Sequence, residues 1–185
     1  PNFIDMSLYQ QKCNELLRDK FAKKEEAILV HISNFRKVKR VQDVVKIFEK
    51  VNKQVPSKLF MIGDGPERLK AEQLCRKLGI AKHVRFLGKL KVIEKFLCIA
   101  DVFVLPSKTE SFGLVALEAM ASKVAVISTN SGGLPEVNID GETGYLSDVG
   151  DVKKMANDTI ALLKDTEKLN QFKNNALAHA KTFDL

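Results

Sequence analysis

Two carboxylates eight residues apart, Glu110 and Glu118, lie in Pro106-Ser-Lys-Thr-Glu-Ser-Phe-Gly-Leu-Val-Ala-Leu-Glu-Ala-Met120. Paired carboxylates can do acid/base work on a glycosidic bond, or they can hold sugar hydroxyls. Gly113 is placed to open a helix, with Glu110 before it and Glu118 in its second turn. The backbone amides of Phe112, Gly113, Leu114 and Val115 would then be free to meet a phosphate. A helix N-terminus favours ionised carboxylates, so neither Glu is expected to stay protonated. Hydrogen bonding to sugar hydroxyls suits that state better than proton donation. The spacing alone carries little; its context, between a buried apolar run and a helix, gives it weight. The plain alternative is an acid that complements the helix dipole.

A second cluster is Ser33-Asn34-Phe35-Arg36-Lys37-Val38-Lys39-Arg40, with four cations in five residues. Cations at a helix start oppose its macrodipole at about 0.3–1 kcal/mol each. An uncompensated cost of that kind favours a bound phosphate or diphosphate over a merely solvated helix start. Met61-Ile62-Gly63-Asp64-Gly65-Pro66-Glu67 reads as a tight turn, with close approach of a nucleotide as the alternative; Gly-x-Gly without a third glycine favours the turn. Ser131-Gly132-Gly133-Leu134-Pro135-Glu136 and Asp140-Gly141-Glu142-Thr143-Gly144-Tyr145 read as turns on the rim of a site. No Asp-x-Asp pair occurs, and the three His and three Cys lack finger-like spacing, so neither a metal nor a cofactor is expected. No Ser-His-Asp or Cys-His arrangement stands out. His31 lies within an apolar run and reads as a core histidine.

The elements that must position these residues are legible as a period. Short apolar runs recur at Ala27–Ile32, Leu59–Ile62, Val84–Leu87, Val102–Leu105 and Val124–Ile127. They are β-branched and apolar at nearly every position, as strands buried on both faces are. Helical patterns lie between them: Val41, Val44, Val45, Phe48 and Val51; then Leu69, Leu74 and Leu78, closed by Gly79. Leu90–Ala100, Gly113–Ala121, Asp151–Leu163 and Thr166–Lys181 read as further helices. Strands alternating with helices predict an α/β fold, a doubly wound parallel sheet. Ligands of such sheets bind outside the carboxyl ends of the strands, where both clusters fall.

Composition narrows the class. The chain has 185 residues, 45% of them hydrophobic and 29% charged, which excludes a disordered tail. Three Cys cannot make a disulfide scaffold, and Cys13, Cys75 and Cys98, all in helix-like stretches, are expected as reduced thiols of a cytoplasmic protein. No apolar run reaches membrane-helix length, and Pro1 to Leu8 does not read as a signal peptide. Residues 1–100 hold 22 Lys+Arg and 11 Asp+Glu, a net +11; residues 101–185 hold 8 and 12, a net −4. A basic half suits a nucleic acid, an anionic surface or a phosphorylated small molecule. No Trp and two Tyr leave few platforms for stacking bases, which weighs against nucleic acid.

Taken together, the motifs resemble the retaining GT-B glycosyltransferases of family four. Pro-Asn-Phe-Ile-Asp is similar to that family's linker into its C-terminal domain. Gly-Asp-Gly-Pro, Val-Arg-Phe-Leu-Gly and Ala-Asp-Val-Phe-Val-Leu-Pro-Ser follow in the family's order, then the Glu-seven-residues-Glu motif at Glu110 to Glu118, Gly-Gly-x-Pro-Glu and Asp-Gly-x-x-Gly. The resemblance implies one Rossmann-like, donor-binding domain over 1–185, with 1–10 as interdomain linker and the N-terminal acceptor domain absent. Ile-Ser-Asn-Phe-Arg-x-Val-Lys-Arg-Val is similar to the subgroup acting in bacillithiol biosynthesis. That subgroup implies UDP-N-acetylglucosamine as donor, L-malate as acceptor and retention of the α configuration.

By the same resemblance, Arg36 and Lys39 hold the diphosphate and Glu110 holds hydroxyls of the transferred sugar; these three are the expected catalytic residues. Glu118 takes the ribose, the amides from Phe112 to Val115 meet phosphate and sugar, and the backbone around Lys89 and Leu90 reads uracil. The family places Arg five residues before the Lys. Here that position is Asn34, and Arg36 stands two residues further on. The implied partners are a nucleotide sugar, a small acceptor and the missing domain of the same chain, with no nucleic acid and no stable membrane insertion; the whole enzyme is open to homo-oligomer formation. The fragment is expected to be inactive alone, and the end at Phe183-Asp184-Leu185 to run on into a segment that crosses back. A same-family enzyme with another acceptor, a UDP-sugar epimerase and a nucleotide- or nucleic-acid-binding module stand as alternatives.

Overall fold

The computed structural model describes residues 3–10 and 12–185; Pro1 and Asn2 of the expected linker, and Gln11, lie outside the described residues. Six strands form one parallel sheet: β1 Ala27–Ile32, β2 Ser57–Ile62, β3 Val84–Gly88, β4 Val102–Leu105, β5 Ala125–Thr129 and β6 Gly144–Ser147. Their order is β3-β2-β1-β4-β5-β6, so the predicted doubly wound sheet is present. Its order reverses between β1 and β4, which pair at Leu29 with Val102 and Val30 with Phe103.

The helices are α1 Glu15–Phe21, α2 Val41–Gln54, α3 Arg68–Lys77, α4 Glu94–Leu97, α5 Leu114–Ala121, α6 Leu134–Val137, α7 Val152–Lys164 and α8 Thr166–Lys181. Alternate strand residues feed two cores. Ile28, Val30, Phe60, Phe103 and Val126 pack on the α5 and α8 side, with Leu117, Met120, Ala176 and Ala180. Leu29, Leu59, Met61, Val104 and Ile127 pack on the α2 and α7 side, with Val44, Phe48, Met155 and Leu162. The period-2 alternation of a strand explains why runs that are apolar throughout are needed: each face of the sheet has its own helical layer.

Several sequence expectations are corrected. The helix expected over Leu90–Ala100 shrinks to Glu94–Leu97. β6 has no counterpart in the sequence reading, which places Gly144 and Tyr145 in a turn, because a four-residue strand at the sheet edge, half-buried at its centre, carries no apolar run. In α3 the buried residues are Ala71 and Cys75, while Leu69 is 61% exposed. Leu69 stands one residue past the start of α3, in its first turn. Cys13 precedes α1 rather than lying in a helix, and it forms a disulfide with Cys98. The two are 85 residues apart in sequence, so no local spacing announced the pair. Cys75 alone is a buried free thiol, as expected. Ile4 and Asp184 form a parallel bridge, tying the segment before α1 to the segment after α8. Among the described residues no helix is long and apolar enough to cross a membrane.

His31 is a satisfied core histidine. Its Nδ1 lies 2.8 Å from the Val104 carbonyl and its Nε2 2.8 Å from Ser33 Oγ. With Nδ1–H donating to the carbonyl, Nε2 accepts from the hydroxyl, and Ser33 Oγ in turn accepts from the Phe35 amide. Burial pushes the imidazole pKa down to about 4. Between the ordinary value near 6.5 and about 4 the unfolded chain therefore binds more protons than the folded one. The stability held by neutral His31 is complete above the unfolded pKa and is lost as pH falls toward 4. Roughly 2 kcal/mol should go between pH 7 and pH 5. Urea unfolding at the two pH values measures it, and His31→Gln should flatten that part of the slope.

Candidate active site

The carboxyl ends of β1 and β4 lie side by side at the switch point, and the loops that leave them carry the two clusters found in the sequence. After β1 the chain makes a short 3-10 turn at Lys37–Lys39. It is bracketed by Phe35 and Arg40, both non-glycine residues with positive φ, 48° and 52°. Two such residues within six positions are uncommon, and strained backbone of this kind collects at functional sites. The loop is pinned from two sides: Lys108 N donates to the Val38 carbonyl at 2.8 Å, and Glu67 N to the Phe35 carbonyl at 3.0 Å.

Lys39 Nζ reaches Glu110 Oε1 at 2.6 Å, across 71 residues of sequence. The pair is partly buried, with side chains 20% and 10% exposed. Ser107 Oγ donates to the same carboxylate oxygen at 3.2 Å; the sequence offered no signal for that contact. Arg40 Nε donates to Asp43 Oδ2 at 2.6 Å, an acid in the first turn of α2. The argument from an uncompensated cationic helix start is thus corrected for Lys39 and Arg40, which have carboxylate partners. Arg36 is exposed and joins no ion pair among the described residues.

Gly113 caps α5 at φ 87°, and no side chain accepts from this end. Among the described residues the amides of Phe112, Gly113, Leu114 and Val115 donate no hydrogen bond. They lie just past Glu110, as the sequence implied, and Leu114 is exposed. Free amides at the positive end of a helix form a ready site for an anion.

The glycine turns serve the site from behind. A Cβ on Gly63 would overlap the Ser33 carbonyl oxygen, and one on Gly132 would overlap that of Glu110. Gly133 N donates to the Glu110 carbonyl at 3.2 Å. The close approach is therefore between loops of the protein itself, which gives the Gly63–Pro66 turn a structural role.

Glu118 corrects one expectation. Its carboxyl is pushed above the usual range by burial first, and Glu94 adds to the rise. Tyr9, from the segment before α1, lies near the carboxyl and partly offsets this. The Tyr9 phenol is itself pushed up, by burial and then by the Glu118 charge. The helix dipole falls off within the first turn, and Glu118 sits beyond it. Lys89 is exposed and Leu90 half-buried just past β3; among the described residues no hydrogen bond or ion pair joins them to the Lys39–Glu110 pair. Tyr9 was missed, because nothing in the sequence places it against a residue more than a hundred positions away. The described residues contain no group of three His, Cys, Asp or Glu arranged to hold a metal ion.

The pattern of the family described as Glycosyl transferases group 1 matches residues 14–179. The chain belongs to this family. Over 167 residues this glycosyl transferase chain is 49% identical to the N-acetyl-alpha-D-glucosaminyl L-malate synthase of Bacillus anthracis, covering 90% of the chain and 44% of the relative. It is 43% identical over 114 residues to a D-inositol 3-phosphate glycosyltransferase of Corynebacterium diphtheriae, covering 60% and 26%. Among solved structures, Anabaena HepE in complex with UDP and glucose superposes with a TM-score of 0.91 at 25% identity, covering 99% of this chain and 52% of that one. The chain thus spans about half the length of the malate synthase and of HepE. The family is shared, and so is the fold; the acceptors in the two relatives' names differ.

Proposed function

We propose that this chain is the donor-binding half of a retaining glycosyltransferase that moves N-acetylglucosamine from UDP-N-acetylglucosamine to L-malate. The observation that carries the donor-binding reading is the meeting of Lys39 and Glu110 beside the free amides of α5. Cation, carboxylate and helix N-terminus are the three groups a sugar diphosphate needs at one point. The likeness to the malate synthase, 49% over 90% of the chain, supports the choice of sugar and acceptor.

In this reading Lys39 and Arg36 face the diphosphate. As the bond from the anomeric carbon to the phosphate oxygen breaks, negative charge grows on the leaving UDP. Lys39, Arg36 and the amides from Phe112 to Val115 stabilise it in place, without a metal. Glu110, oriented by Lys39 and Ser107, accepts hydrogen bonds from hydroxyls of the transferred sugar. Glu118 accepts from the ribose, and backbone groups near Lys89 and Leu90 meet the uracil. The acceptor attacks from the face that the phosphate leaves, and the phosphate takes its proton, so no side chain here acts as general base. The acceptor site belongs to the half of the enzyme beyond this chain, and the chain alone should form no glycoside.

Titration with UDP, GDP and ADP tests the donor. UDP should bind tightest, and equal affinities would overturn the choice of base. Glu118→Ala should weaken UDP about tenfold or more, the worth of a hydrogen bond to a charged group; unchanged affinity would remove Glu118 from the ribose.

A further inference from the structure

A cavity of about 520 Å³ lies away from the Lys39–Glu110 pair, between the segment before α1, the C-terminus of α5 and one face of α8. The Cys13–Cys98 disulfide forms part of its wall, as do Lys123, Lys173 and Lys181. Among the described residues no carboxylate side chain lines it. Lys173 is tied to Asp101 at 2.8 Å, an acid that also faces Arg18 at 3.7 Å. Lys123 and Lys181 are exposed and join no ion pair among the described residues. Lys123 follows the last turn of α5 and complements its dipole, which accounts for one of the three. Ser122 Oγ, on the same wall, is buried and has no hydrogen-bond partner among the described residues.

Cys13 and Cys98 are half-buried, and Cys98 also borders a second cavity of about 240 Å³. The remaining thiol, Cys75, behaves differently. It is 1% exposed, and burial pushes it up to about 11, so it is poorly placed to react.

We propose that the Cys13–Cys98 disulfide is a reversible redox site, opened by an anionic low-molecular-weight thiol that docks in the lysine-lined cavity. The thiolate of the small molecule attacks one cysteine sulfur. The protein S–S bond breaks, a mixed disulfide forms, and the other cysteine leaves as a thiolate. A second small thiolate attacks the small molecule's sulfur in that mixed disulfide, releases the second cysteine thiolate and departs as the small disulfide. Two small thiols are oxidised, one protein disulfide is reduced, and the cysteine thiolates take protons from solvent. Reduction frees the segment before α1 from the end of α4; the small disulfide drives the reverse. The proposal does not depend on which sugar is transferred.

The test starts from protein oxidised with excess 2-hydroxyethyl disulfide. Reduction by anionic 2-mercaptoethanesulfonate and by neutral 2-mercaptoethanol is followed by alkylation and mass. Each rate is divided by that thiol's rate on 2-hydroxyethyl disulfide. At low salt the anionic thiol should hold an advantage of about threefold to tenfold, the sum of two exposed charge contacts. The advantage should vanish in about 1 M salt, and in the Lys123→Gln/Lys181→Gln double variant. Cys75 should label only after denaturation. Three thiols open to alkylation in the oxidised protein would overturn the proposal, and so would equal normalised rates at low salt.

Discussion

Lys39→Ala in the full-length enzyme lowers turnover by about 10²–10³-fold, the usual loss when one donor to a developing charge is removed. Two effects combine. The growing charge on the leaving diphosphate loses its nearest ammonium. Glu110, whose side chain is 10% exposed, loses its only ion-pair partner among the described residues. A carboxylate left unpaired there is destabilised and no longer held in place, and its hold on sugar hydroxyls goes with it. Lys39→Arg keeps the charge but replaces a point ammonium by a wider fork, so partial activity is expected. Arg36→Ala should also lower turnover. Arg40 is a poor substitute, because Asp43 already holds it at 2.6 Å. Steady-state kinetics with a thermal melt as folding control decides the matter; a Lys39→Ala enzyme within about twofold of the parent would dismiss the diphosphate placement.

Gly132→Ala damages fold and site together. The new Cβ overlaps the Glu110 carbonyl, and the backbone has φ 56°. The left-handed conformation costs about 1–2 kcal/mol for a residue with a side chain, and forcing atoms into packed backbone adds about 1–3 kcal/mol. For a chain of this size a loss of about 2–5 kcal/mol lowers Tm by roughly 4–20 °C. Any relief comes from moving the Glu110 loop, so activity of the full-length variant should fall even below its melting temperature. Gly141→Ala is the control: its φ is similar, 77°, but a Cβ there meets nothing within 4 Å. Equal melting temperatures for the two variants would show that the contact with Glu110 carries no weight.

Much of the architecture was readable in the chain. Val102–Leu105 is buried at every position and Ala27–Ile32 at its four central ones, so the apolar runs do mark strands buried on both faces. The 3–4 spacing from Val41 to Val51 became the buried face of α2. Shorter or edge elements were not readable. β6 lacks an apolar run, and α3 turns Ala71 and Cys75 inward rather than Leu69. In each case packing outweighed a pattern too short to specify a face.

The site divides in the same way. The kinds of residue are local facts: cations after the first strand, a carboxylate and a glycine before a helix, glycines in the turns behind. These types and their order already named the family. Which of them meet is not local. Lys39 finds Glu110 because β1 and β4 are neighbours at the point where the sheet order reverses. Arg40 turns to Asp43 instead, Tyr9 comes to Glu118 from the segment before α1, and Cys13 pairs with Cys98. All but the Arg40 contact span more than seventy residues of sequence. Such contacts depend on how the layers stack, and no spacing along the chain encodes the distance between elements that the fold brings side by side.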